Sequence, residues 1–339
     1  MARVAILGAG DMGTALTTPL AANGHDVRLW GTRLDGDIVE ALRAGEPHPR
    51  LGVPAPAGVR VFAEQEAGAA LAGAEVAVVA VTSDGVRPVV SALAGCLAAV
   101  PTVMTVAKGF DPGPANDDIL LLPEVIGSFT SAPIVGVGGP SKANEVARAI
   151  PTAVVFAGLP AAVRRCRDLF ATPTYKVETS GDLTGVEIAA AMKNAYAIAL
   201  GVADGLEQRT GVPHHNLRAA LFPRAIDEMG RLIEARGGRA ATAAGLAGSG
   251  DLQVTITSGR NRLLGERIGR GEPGVEAARA LRDAGITVEG YAAADFGYRL
   301  ARGSVDRASR APLDVPLLRG LWSILYENAP ALETLWAAV

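Results

Sequence analysis

The sequence predicts an α/β chain, with a doubly wound parallel sheet over residues 1–183 and an all-helical domain over residues 184–339. Short β-rich runs alternate with helical stretches through the first half, the pattern of a parallel sheet wrapped by helices. A glycine-rich turn joins the first β run to the first helical stretch. After Leu183, β-branched runs almost vanish, and long alanine- and leucine-rich stretches replace them. A chain of 339 residues exceeds one ordinary domain and can bury a large core.

The elements follow in order. Residues 4–7 form a continuous apolar run of strand length, 14–23 read as a helix, and 27–30 as a second strand. Residues 76–81, 103–107 and 134–137 read as further strands. Helices are expected over 184–206, 217–236, 261–268, 274–284, 291–301 and 316–326.

The turn itself reads Gly8-Ala9-Gly10-Asp11-Met12-Gly13. A G-x-G-x-x-G match is weak alone, and its place between first strand and first helix makes it a Rossmann-type signature. Gly8, Gly10 and Gly13 would let the backbone close tightly and approach a pyrophosphate seated on the helix N-terminus. The second strand ends Leu29-Trp30-Gly31-Thr32-Arg33, without the carboxylate that normally holds the ribose hydroxyls of NAD. Arg33 could instead grip a 2′-phosphate, so NADP is the expected cofactor, with NAD as the alternative. Asp35 and Asp37 follow closely, and a salt bridge to either is the competing role for Arg33.

Composition excludes other classes. Apolar residues make up 49% and charged residues 20%, far from disorder. A net charge of −3 supplies no attraction to nucleic acid or an anionic membrane. Cys96 and Cys166 form no paired spacing, which speaks against a disulfide scaffold or thiolate metal site. The N-terminus lacks the form of a signal peptide, and no uninterrupted apolar run reaches the roughly 18 to 20 residues of a membrane span. The cytoplasm is the expected location. His214 and His215 are adjacent, diverge on a helix and lack a third ligand, so no metal is expected. Only four lysines occur, Lys108, Lys142, Lys176 and Lys193, in a chain that otherwise uses arginine. Lysine can give up a proton where arginine cannot, so these positions draw attention.

Later segments share an ordered set of motifs: Ala107-Lys108-Gly109, Gly139-Pro140-Ser141-Lys142-Ala143-Asn144-Glu145, Pro151-Thr152-Ala153, Gly185-Val186-Glu187 and Lys193-Asn194. The C-terminal part adds Gly245 to Leu252, Gly259-Arg260-Asn261-Arg262 and Val288-Glu289-Gly290. With Trp30-Gly31-Thr32-Arg33, this set resembles the NAD(P)-dependent glycerol-3-phosphate dehydrogenase family from about residue 4 to about 320. The resemblance implies reduction of dihydroxyacetone phosphate to sn-glycerol 3-phosphate, which supplies glycerophospholipid synthesis, by a homodimer with a site between its two domains. Carried over by motif, Lys193 is the acid/base, with Lys108 and Asp251 beside it in catalysis. Lys108, Gly139, Ser141, Asn194, Asp251, Thr255, Arg260 and Asn261 would contact a small phosphorylated substrate. Gly8, Gly10, Asp11, Met12, Gly13, Trp30, Arg33, Lys108, Ala143, Arg260 and Glu289 would contact the cofactor.

The chemistry wants these residue types. Reducing a ketone places negative charge on the carbonyl oxygen, which an ammonium stabilises and then protonates. Lys193 sits mid-helix among Ala189, Ala190 and Ala197; a second cation nearby would make it lose charge more readily. On helix pattern alone it also fits a snorkelling surface lysine. Lys108 follows a strand end, where α/β sheets collect ligands. Lys142 and Lys176 lack such placement and read as solvated. Asp251 and Thr255 are four apart and share a helix face, and Asp251 also suits an N-cap. Arg260 offers a planar fork for phosphate, with Asn261 adding amide donors.

Four positions depart from the family pattern. Asp11 and Met12 replace Ser and Trp, Lys142 replaces Phe, and Gly259 replaces Ser. A carboxylate beside a pyrophosphate is unwelcome unless it points away. A related phosphorylated ketose or polyol is therefore the alternative substrate, and a catalytically silent nucleotide-binding sensor the alternative from another class.

Overall fold

The computed structural model describes residues 1–113, 118–306 and 309–339. The chain divides into two compact units. One comprises Met1–Asp111 with Leu120–Leu183, and the other Pro112–Ile119 with Thr184–Val339.

Among the described residues, the first unit is built on ten strands: β1 (Arg3–Leu7), β2 (Asp26–Trp30), β3 (Arg60–Phe62), β4 (Val76–Val79), β5 (Val103–Thr105), β6 (Phe110–Asp111), β7 (Leu120–Leu121), β8 (Ile134–Gly138), β9 (Thr152–Gly158) and β10 (Tyr175–Ser180). Eight of them form one sheet in the order β10-β9-β8-β5-β4-β1-β2-β3, while β6 and β7 pair separately. The neighbours from β8 through β3 pair in parallel, with Val4 of β1 opposite both Val27 of β2 and Val76 of β4. One face carries Ile6, Leu16, Leu29, Val78 and Phe156 in its core, and the other Leu7, Val79, Val90, Val103 and Ile126. Burial on both faces explains why these strands read as continuous apolar runs without alternation. The strand order reverses direction at β1, between β2 and β4, and the crevice outside such a switch point is where open α/β sheets bind ligands. The glycine turn follows β1 directly.

Three strands of the eight-stranded sheet were not legible in advance. β3 has three residues, and β10 is largely exposed and alternates polar with apolar side chains. β9 pairs antiparallel with β8, so β9 and β10 run against the rest of the sheet. Strands expected to reach residues 81 and 107 stop at Val79 and Thr105.

The second unit is helical. Its principal helices are Leu183–Thr210, His215–Ala235, Arg260–Gly269, Gly274–Asp283, Glu289–Arg302 and Pro316–Tyr326. Leu183–Thr210 is long and apolar enough to cross a membrane, and that apolar stretch is wholly buried, as befits a core helix. It packs backbone to backbone against Arg260–Gly269. A Cβ on Gly265 would lie 2.1 Å from the Ile198 carbonyl oxygen, one on Gly205 2.1 Å from that of Glu266, and one on Gly269 2.3 Å from that of Val202. No side chain fits between these helices there.

A buried carboxylate on the His215–Ala235 helix ties two others to it. Glu228 accepts hydrogen bonds from Leu317 N at 2.5 Å and Leu318 N at 2.8 Å, satisfying amides at the start of the Pro316–Tyr326 helix. Tyr196 Oη donates to the same carboxylate at 3.0 Å. Burial pushes the Glu228 carboxyl up to about 7, against the opposing pull of these donors.

Candidate active site

The glycine turn has the form a dinucleotide requires. Gly8 adopts φ +117°, and a Cβ there would lie 2.7 Å from the Ala80 carbonyl oxygen. A Cβ on Gly13 would stand 1.9 Å from Gly8 O, so only glycine lets the helix Asp11–Ala22 seat on the turn. Gly10 caps that helix without a side-chain hydrogen bond, which leaves its first amides available to an anion. Half-buried Met12 lies beside it, and the Asp11 carboxylate accepts from Arg50 Nε at 2.7 Å. The residues present therefore fit a pyrophosphate.

At the end of β2, the Trp30 indole is buried and its Nε1 donates to Glu64 O at 2.9 Å. Arg33 is exposed and lines a cavity with Thr32, Gly36, Val39 and Arg43. Asp35 does not pair with it. Its Oδ2 accepts from Thr32 N and Thr32 Oγ1, each at 2.8 Å, and from Ala9 N at 3.3 Å. The carboxylate is thus spent on bracing the turn, and the guanidinium stays directed to solvent.

Lys108 is half-buried three residues past β5, and its Nζ donates to Gly139 O at 3.2 Å. Gly139 is buried with φ +110°. Ser141 Oγ lies 3.9 Å from Met12 Sδ, and Ala143 opens the short helix Ala143–Val146. Lys176 is exposed as expected, whereas Lys142 is half-buried.

In the helical unit, Lys193 is 7% exposed and Asp251 2%. Lys193 Nζ lies 3.1 Å from Asp251 Oδ1 and donates to Thr255 Oγ1 at 2.8 Å. Thr255 in turn donates to Asp251 O at 2.7 Å, so the shared helix face expected of this pair is what meets the lysine. What faces Lys193 within its unit is the Asp251 carboxylate. Asp251 is also not an N-cap. The π-helical turn Leu246–Gly250 runs straight into the α-helix Asp251–Thr257, so Gly250 is already helical and Asp251 is the first residue of the α-helix.

Beside this cluster, three side chains close a ring. Asn261 Nδ2 donates to Asn194 Oδ1 at 2.8 Å, Asn194 Nδ2 donates to Glu289 Oε2 at 3.3 Å, and Gly290 N donates to Asn261 Oδ1 at 2.9 Å. The glycine contacts between the two helices carrying Asn194 and Asn261 allow so short a span. Arg260 is exposed at the first position of its helix. No group of three or more histidine, cysteine or acidic side chains able to hold a metal occurs among the described residues.

A nucleotide turn at a sheet switch point, together with a buried, oriented ammonium in a helical unit, defines a nicotinamide-dependent dehydrogenase. Residues 3–163 match the NAD-dependent glycerol-3-phosphate dehydrogenase N-terminus, and residues 182–335 match the C-terminus of the same family. An NADP(+)-dependent glycerol-3-phosphate dehydrogenase of Archaeoglobus fulgidus is 38% identical over 98% of both chains. A glycerol-3-phosphate dehydrogenase [NAD(P)+] of Thermus thermophilus is 41% identical over 79% of this chain and 80% of its own. The crystal structure of glycerol-3-phosphate dehydrogenase from Coxiella burnetii superposes with a TM-score of 0.82 at 31% identity, covering 98% of this chain and 97% of that one. The chain belongs to the NAD-dependent glycerol-3-phosphate dehydrogenase family.

Proposed function

We propose that this enzyme reduces dihydroxyacetone phosphate to sn-glycerol 3-phosphate with NADPH, with NADH as a second cofactor, and so supplies glycerophospholipid synthesis. The observation that carries the reading is the buried Lys193 ammonium held between Asp251 and Thr255. Bound cofactor supplies a hydride to the carbonyl carbon. Lys193 stabilises the charge that grows on the carbonyl oxygen and then gives that oxygen its proton. Asp251 and Thr255 hold the lysine in place and fix its angle. Arg260 grips the substrate phosphate through its planar fork, and the remaining amide hydrogens of Asn194 and Asn261 orient the polar end of the substrate. Lys108, Gly139 and Ser141 are further proposed contacts of the substrate, with Lys108 as a second ammonium. The turn Gly8–Gly13, Trp30, Arg33, Ala143 and Glu289 receive the cofactor. A homodimer in the cytoplasm is the expected working form.

The test follows NADPH and NADH absorbance with dihydroxyacetone phosphate and with longer ketose phosphates. Rapid oxidation with dihydroxyacetone phosphate supports the proposal. Turnover of a longer ketose phosphate alone would reassign the substrate, a reading favoured by half-buried Lys142 where the family carries Phe.

A further inference from the structure

Asp11 poses an electrostatic problem. A carboxylate at the first position of the helix Asp11–Ala22 sits where a dinucleotide would place its pyrophosphate, and like charges repel. The structure answers it from a loop some forty residues away.

Arg50 Nε donates to Asp11 Oδ1 at 2.7 Å, and this is its one side-chain hydrogen bond among the described residues. Its Nη2 lies 3.8 Å from the point where a Cβ on Gly10 would stand, so the guanidinium lies over the middle glycine of the turn. Nothing else comes within 4 Å of that point. With Nε consumed by Asp11, the two terminal nitrogens remain to donate.

The main chain of Arg50 is anchored as well. His48 is wholly buried, and its Nδ1 accepts from Arg50 N at 3.1 Å and Leu51 N at 3.2 Å. An Nδ1 that accepts leaves the ring proton on Nε2. That Nε2 is buried and faces Asp11 Oδ1 at 3.8 Å. The backbone closes the loop around the ring, with His48 N donating to Val53 O and Gly52 N to His48 O, each at 2.8 Å. Arg148 Nη2 pins it from outside on Leu51 O at 2.7 Å.

We infer that Arg50 is a ligand of the dinucleotide pyrophosphate, held over Gly10 by Asp11 at its guanidinium and by His48 at its main chain. The inference rests on the reading of the turn as a dinucleotide site. It assigns Asp11 the role of an anchor whose charge Arg50 cancels, so that the helix amides and the two terminal guanidinium nitrogens face the anion together. Removing Arg50 would expose the bare carboxylate to the pyrophosphate, and removing Asp11 as well would relieve that repulsion.

The test is calorimetric titration of wild type, Arg50→Ala, Arg50→Ala/Asp11→Ala and Arg33→Ala with ADP and with adenosine 2′-phosphate. ADP carries the pyrophosphate without the 2′-phosphate, and adenosine 2′-phosphate the reverse. Arg50→Ala is expected to weaken ADP at least tenfold while leaving adenosine 2′-phosphate within twofold, and the double variant to recover part of the loss. Arg33→Ala should do the opposite with the two probes. Far-ultraviolet circular dichroism and the melting temperature of Arg50→Ala confirm that the loop change leaves the fold intact. If wild type binds ADP and Arg50→Ala binds it equally well, Arg50 is no ligand. If wild type binds neither ADP nor NADPH, the dinucleotide reading falls and Arg50 with it.

Discussion

Lys193 Nζ stands 3.1 Å from Asp251 Oδ1, and both side chains are almost wholly withdrawn from water. Truncating one partner of a buried pair strands the other charge, which typically costs about 3–5 kcal/mol. Asp251→Ala should therefore lower the denaturant midpoint sharply, and Lys193→Met/Asp251→Leu should regain most of the loss while remaining inactive. Lys193→Ala should still bind NADPH yet turn over about a hundredfold more slowly or worse. Unchanged turnover in that variant would move the acid elsewhere.

The proposed role of Arg33 in cofactor choice is testable, because the acid nearest to it in sequence is already engaged. Arg33→Ala should weaken NADPH by roughly ten- to a hundredfold, the worth of one or two charge-assisted hydrogen bonds, and leave NADH unchanged. Fluorescence titration with each cofactor reads this directly. An equal loss for both would place Arg33 on a group that the two cofactors share.

Glu228 should make stability fall as pH rises. Its carboxyl lies at about 7 in the folded chain, above the ordinary carboxylate value of 4.5. Between those two values the folded state holds a proton that the unfolded state has lost, so acid favours folding there. The contribution is complete below about pH 4.5 and is lost by pH 7, on the order of 3 kcal/mol in all. Glu228→Gln should flatten this segment of the profile, measured as the denaturant midpoint at pH 5 and pH 8. It should be the less stable chain at pH 5, since an amide offers only one oxygen to Leu317 N and Leu318 N.

Gly265→Ala should both destabilise and misplace. The added methyl meets the Ile198 carbonyl oxygen at 2.1 Å, and backbone cannot rotate away. A loss of about 1–3 kcal/mol or more is expected, with a raised KM for dihydroxyacetone phosphate as Asn194 and Asn261 separate. Gly95→Ala, where nothing lies within 4 Å, should leave both quantities unchanged.

What the sequence made legible follows physical range. Strands buried on both faces and a 28-residue helix announce themselves through continuous or periodic apolar character. The direction of β9 does not, because an apolar run such as Ala153 to Ala157 reads alike in a parallel or antiparallel pair. Local motifs placed the turn, Lys193 and Asp251. Their partners were harder to see: Asp35 lies two residues past Arg33, and sequence proximity pointed it at the wrong group. Arg50 and His48 reach Asp11 from about forty residues away, and no spacing rule connects them. The capping role read for Asp251 failed because the preceding π-helical turn leaves no extended residue in front of the helix.

The contact between the Leu183–Thr210 and Arg260–Gly269 helices sets the distance between Asn194 and Asn261 with main-chain atoms alone. Main-chain atoms are the same whatever residues the rest of the core carries. Over evolutionary time the surrounding alanines, leucines and isoleucines are therefore free to drift, and the gap between the two amides stays constant. Mutational robustness of the site is thus concentrated in a handful of glycines, which are themselves the positions least able to change.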